Sequence, residues 1–144
     1  MRIQRPTHLL SLKLKTVDQE SLSLQVNAYS SKFRPLEYKH VKNDNIHHVD
    51  ISIPIPDRIV IGFLGIDKQG LELLEMSLVG IPFIKSVLNK ILEYKPTNQL
   101  KKVFDIPSIT NTLHWSCDGY LVIDFFNPDP FAYHMYVGNK IRML

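Results

Sequence analysis

The run from His47 to Phe83, HHVDISIPIPDRIVIGFLGIDKQGLELLEMSLVGIPF, sets the tightest limit on what this chain can form. It divides into three strand-like stretches, Ile46 to Ile55, Arg58 to Ile66 and Leu71 to Val79, and it closes on Gly80-Ile81-Pro82. Pro54 and Pro56 flank Ile55 and lack the N–H that a central ladder needs, so that tract belongs at a strand end or a sheet edge. Asp67-Lys68-Gln69-Gly70 reads as a hairpin connection between the second and third stretches. Leu71, Leu73, Leu74, Met76, Leu78 and Val79 also satisfy a helical face, but the short spacing from the preceding stretch favours a strand.

The same period recurs upstream. Leu10, Leu12 and Leu14 alternate with polar residues, as do Leu22, Leu24 and Val26, and the polar Val17-Asp18-Gln19-Glu20 between them predicts a hairpin. Residues 30–45 lack sustained periodicity and predict a long loop with room for one short strand. Between Pro82 and Pro96, Ile84, Val87, Leu88, Ile91 and Leu92 follow the spacing of an amphipathic helix, with a strand over Lys90 to Lys95 as the competing reading. Short strands are then expected around Lys102 to Ile106, Thr112 to Cys117, Tyr120 to Phe126 and Phe131 to Val137. The Asp118-Gly119 turn would set Leu113 and Trp115 across from Leu121, Ile123 and Phe125, and Asn127-Pro128-Asp129-Pro130 would reverse the chain again. About nine strands with frequent turns and one short helix predict an all-β fold, a β-sandwich or jelly roll.

A length of 144 residues suits a single domain spanning 1–144. Hydrophobic residues at 44% and charged residues at 22% are those of a folding chain, not a disordered one. The net charge of +3 is concentrated early: residues 1–48 carry eight Lys/Arg against four Asp/Glu. No single element is dense enough in basic residues for nucleic acid to be an expected partner. Cys117 is the only cysteine, which excludes an intrachain disulfide framework. No apolar run approaches the length of a membrane span, so no membrane partner is expected. The ends, about residues 1–6 and 138–144, show little periodicity and are expected to be flexible or to order on docking.

Chemistry-bearing patterns are sparse. His8, His40, His47, His48, His114 and His134 are scattered, and His47 and His48 would point to opposite faces of a strand, so no metal ligand set is assigned. Asp118, Asp124, Asp129 and Asn127 sit near the last turns, where such residues ordinarily shape the backbone, with Ca²⁺ coordination as the sharper alternative. There is no nucleophile elbow and no phosphate-cradling glycine loop. No catalytic residue or cofactor is assigned, and a non-enzymatic role is expected. Trp115, His134 and Tyr136 at the aromatic end, and Phe33, Arg34 and Tyr38 in the basic, aromatic 30–45 segment, are the candidates for a ligand or interface contact.

The order of motifs resembles small β-sandwich modules of virion structural proteins from tailed bacteriophages, especially those infecting cyanobacteria, which are similar to carbohydrate-binding modules. The likeness is carried by Pro56-Asp57-Arg58-Ile59, Gly65-Ile66-Asp67-Lys68, Leu78-Val79-Gly80-Ile81-Pro82, Asp118-Gly119-Tyr120, Asp124-Phe125-Phe126-Asn127-Pro128 and Phe131 to His134. It implies a particle component such as a decoration, neck, tail or fibre-attachment protein, assembled in a host cytoplasm and contacting other virion proteins and copies of itself. Leu71-Glu72-Leu73-Leu74 departs from the more polar middle hairpin of such modules, which implies burial against a neighbour. Recognition of a cell-surface glycan, with Trp115 or exposed tyrosines as the platform, is the alternative.

Overall fold

The computed structural model describes residues 7–17, 22–54, 58–66, 70–96, 99–108 and 113–125. In chain order the strands are β1 (Thr7–Thr16), β2 (Ser23–Tyr29), β3 (Phe33–Pro35), β4 (Tyr38–Asn43), β5 (Ile46–Pro54), β6 (Arg58–Leu64), β7 (Leu71–Leu78) and β8 (Ile81–Pro82). Helix α1 (Lys85–Ile91) leads directly into β9 (Leu92–Lys95), and a 3-10 helix (Leu100–Asp105) precedes β10 (His114–Trp115) and β11 (Gly119–Ile123). One sheet runs β10-β7-β1-β5-β4 with β8 on β7, the other β3-β2-β6-β11-β9. The fold is an all-β sandwich of two antiparallel sheets with one short α-helix, as the alternation predicts.

The core lies between the sheets. Leu10, Leu12 and Leu14 of β1, Val49, Ile51 and Ile53 of β5, and Leu71, Leu73, Met76 and Leu78 of β7 meet Val26, Ile59, Ile61, Phe63, Leu121 and Ile123 from the other side. Leu88 and Ile91 of α1 close one end of this cluster.

Which strands bond to which differs from expectation at three places. β1 pairs with β5 and β7, whereas β2 pairs with β6 and β3. β6 and β7 lie in opposite sheets, and so do β10 and β11. Each expected hairpin is therefore a crossing from one sheet to the other. The physical reason is that two strands offering apolar faces to one core satisfy the same alternation whether they lie side by side or face each other. The turn residues Val17 to Glu20 and Asp67 to Gly70 fall mostly outside the described residues. The strand Phe131 to Val137, the Asn127 to Pro130 reversal and both chain ends lie wholly outside them.

β7 explains its own ambiguity. Lys13 is opposite Glu75 and Leu14 opposite Leu73, so Leu74 is an extra residue in a β-bulge. Leu71 and Leu73 before the bulge and Met76 and Leu78 after it all reach the core, while Leu74 is 42% exposed. The helix-like spacing of these residues is the imprint of the bulge.

β6 is buried on both faces, which accounts for its nearly unbroken apolar run. Val60, Tyr120 and Val122 on the outer face are covered by Val103, with Leu100, Phe104 and Phe33 around them. The segment expected as a strand near Lys102 is thus a 3-10 helix, because Leu100 and Val103, three residues apart, fall on one side of a turn of that pitch and both face the sheet. Lys95 Nζ donates to the Ile106 carbonyl (2.8 Å), and the Arg58 guanidinium lies 5.5 Å from the Phe104 ring centre, which ties this cover down. Tyr120 lies across Gly62, where a Cβ would sit 2.7 Å from its Cε1, so this position admits glycine alone without a shift of the ring.

Candidate functional site

The residues that converge on one accessible feature belong to β3 and β4. β3 pairs with β2 from Asn27 to Tyr29, and Pro35 then ends the ladder. Beyond it the Leu36 N–H donates to the Val26 carbonyl (3.0 Å), and the Tyr38 hydroxyl donates to the Leu24 carbonyl (3.0 Å). A backbone group and then a side chain continue what the strand began, while the chain itself swings over to the opposite sheet as β4. There it pairs with β5, from Tyr38 opposite Ile51 to Asn43 opposite Ile46. The Asp44-Asn45 turn joins β4 to β5, with Asp44 at φ 55°, a left-handed conformation that Asp tolerates better than most residues.

β4 ends its sheet: among the described residues nothing pairs with its far side. All its residues but His40 are exposed, with Tyr38 at 41% and Val41 at 47%. Lys39 and Lys42 lie on the strand, and Lys32 and Arg34 lie just before it, all four exposed. The 30–45 segment, expected as a long loop with room for one short strand, is therefore two short strands and the turn into β5. Its alternation is absent because most of β4 meets solvent on both faces, so only Pro35, the Asn43-Asp44-Asn45 turn and the β-favouring Tyr38 and Val41 signalled a strand.

Behind β4 lies a chain of hydrogen bonds. His40 Nε2 is 2.8 Å from His47 Nδ1, His47 Nε2 is 3.3 Å from Thr16 Oγ1, and Thr16 Oγ1 donates to the Asn45 carbonyl (3.4 Å). With His40 donating to His47 and His47 donating to Thr16, each proton has an acceptor and both rings are neutral. Burial, then the neighbouring His40 and Lys42, push His47 down to about 4. Burial and Lys42 lower His40 as well. At neutral pH the positive charge of this edge accordingly resides on Lys39 and Lys42.

The sequence candidates separate. Tyr38 lies on the exposed β4 edge, whereas Arg34, also exposed, lies on β3 of the opposite sheet. Phe33 is half-buried, its ring 4.8 Å from Tyr29 and 5.8 Å from Phe104 in near-parallel stacking, so it anchors the 3-10 cover. Trp115 is 1% exposed, stacked on Tyr94 at 4.8 Å and facing Phe63 at 6.1 Å. It offers no face to a sugar ring, because β10 turns this side chain into the core. His134 and Tyr136 lie outside the described residues.

Of the carboxylates, Asp118 Oδ1 accepts the Ile66 N–H (2.8 Å) and Asp124 pairs with Arg58 (3.2 Å). They do separate structural work, and among the described residues no three His, Cys, Asp or Glu side chains gather to hold an ion. Asn127 and Asp129 are outside the described residues. His47 faces inward and His48 outward, as their adjacency on a strand requires. A groove of about 600 Å³ between β7 and α1 has Leu73, Phe83, Leu88 and Leu113 in its wall and Glu72 and Glu75 at its rim.

Comparison with family models, with curated proteins and with solved structures finds no match to this chain.

Proposed function

We propose that this chain is a non-enzymatic assembly module, a structural protein of a tailed-phage particle, that acts through protein–protein contacts. The observation that carries this reading is β4, a sheet edge whose far side has no neighbour among the described residues and which exposes Tyr38 and Val41. A free edge presents unpaired N–H and C=O groups in a row, and another polypeptide can satisfy them with little rearrangement of the sheet. The other edges are blunter: β3 has three residues and ends in Pro35, β10 has two, and β9 stops before Pro96. The particle setting comes from the resemblance of the motifs, and a β-sandwich by itself is compatible with many functions.

Glycan recognition loses Trp115 to the core and keeps Tyr38 as its most exposed described ring. Quantitative mass spectrometry of gradient-purified particles tests the assembly reading. The chain is expected at a fixed ratio to the major structural proteins. Its presence in the soluble fraction alone would exclude a structural role.

A further inference from the structure

We propose that β4 accepts, as an added strand, an extended acidic segment of a different polypeptide, with two carboxylates spaced as Lys39 and Lys42 are. The inference rests on β4 being the docking edge and adds the chemistry of what docks. Lys39 and Lys42 are an odd number of residues apart and so point to opposite faces of the sheet. Lys39 shares its face with Val41 and lies opposite Asp50 of β5, while Lys42 shares the other face with His40 and lies opposite His47. A strand laid along β4 therefore meets one ammonium group on each face and an exposed valine beside Lys39. Carboxylates at those two positions, with an apolar residue opposite Val41, complement all three.

A second copy of the chain is a poor occupant. Antiparallel self-pairing about His40 sets Lys39 opposite Val41 and Lys42 opposite Tyr38. Pairing about Val41 sets Lys39 opposite Asn43 and Lys42 opposite His40. Shifting the centre to Lys39 or Lys42 places a lysine opposite itself. Within Tyr38–Asn43 no register supplies a carboxylate to either lysine; pairing about Tyr38 or Asn43, which would bring up Glu37 or Asp44, overlaps the two strands by a single residue, and edge lysines of this kind discourage self-association. Lys32 and Arg34 add to the positive field through which an acidic segment would approach.

The test uses a labelled peptide Thr-Glu-Val-Thr-Glu-Thr against the full chain, with fluorescence anisotropy for affinity and hydrogen exchange for location. Binding is expected with new protection at Tyr38–Asn43, and the double variant K39E/K42E is expected to bind about tenfold more weakly or worse. Circular dichroism and an unchanged melting temperature establish that the variant folds. Three results overturn the proposal: equal binding of the peptide with Lys in place of both Glu, protection located away from β4, or tighter binding of a single-stranded oligonucleotide. Dimerisation of the free chain through β4, seen by sedimentation and exchange, also overturns it. A chain that binds the peptide but is absent from particles refutes the particle setting and leaves this inference standing.

Discussion

His47 Nδ1 and His40 Nε2 are 2.8 Å apart, joining the edge strand β4 to its neighbour β5 through two neutral imidazoles. His47 is fully buried and continues the link to Thr16 on β1. Three adjacent strands are thereby connected by side chains as well as by the ladder.

This pair makes the edge acid-sensitive. His47 titrates near 6.5 when unfolded and is held at about 4 in the fold, so the unfolded chain binds the proton more readily. The stabilising effect is complete above pH 6.5 and is lost as the pH falls towards 4, amounting to about 3 kcal/mol for a shift of this size. His40 is shifted in the same direction. Urea unfolding measured across that window should show stability falling with pH in the wild type. The difference between wild type and H47Q isolates the effect from ordinary carboxylate titration, and the decline should be shallower in H47Q.

Trp115 is the only tryptophan, so its fluorescence reports one environment. Stacked on Tyr94 and 1% exposed, it should emit at short wavelength and resist acrylamide quenching in the folded state. Trp115→Ala should destabilise by about 3–5 kcal/mol, as for other buried aromatics cut to alanine. Red-shifted, readily quenched emission from the folded chain would contradict this placement.

The bulge in β7 predicts opposite outcomes for neighbouring leucines. Leu73 faces the core and Leu74 faces solvent. Leu73→Ala should lower stability by about 2–5 kcal/mol, whereas Leu74→Thr should change it by less than about 0.5 kcal/mol. Comparable losses in chemical denaturation would rule out the bulge.

Gly62 and Tyr120 are mutually constrained on neighbouring strands. Gly62→Ala should displace the Tyr120 ring and cost about 1–3 kcal/mol through overpacking. Pairing it with Tyr120→Leu, which vacates the space over Cα, should recover part of that loss in a double-mutant cycle.

The legible part of this fold is each strand's own geometry. Leu10, Leu12 and Leu14, or Leu121 and Ile123, alternate because one face is buried, and a period of two reports that directly. Sheet membership was not legible, because Trp115 and Leu121 enter one core from opposite sheets and local pattern is blind to which carbonyl each N–H finds. The Lys102 region misled because an apolar segment lying over a sheet resembles one within it. The candidate site was half legible: Tyr38 stands out as an aromatic residue in a polar, basic stretch. Pairing with β5 is local, but that no described strand covers the other side of this stretch depends on the arrangement of the whole sheet, which local pattern does not report.

Hydrogen exchange at Tyr38–Asn43, compared between the free chain and the chain in its assembly, addresses the docking edge most directly. Amides of β4 that point away from β5 should exchange rapidly in the free chain and become strongly protected on assembly, while the β5 amides bonded to β4 stay protected throughout. Unchanged exchange along β4, with new protection confined to the groove between β7 and α1, would contradict assembly through this edge.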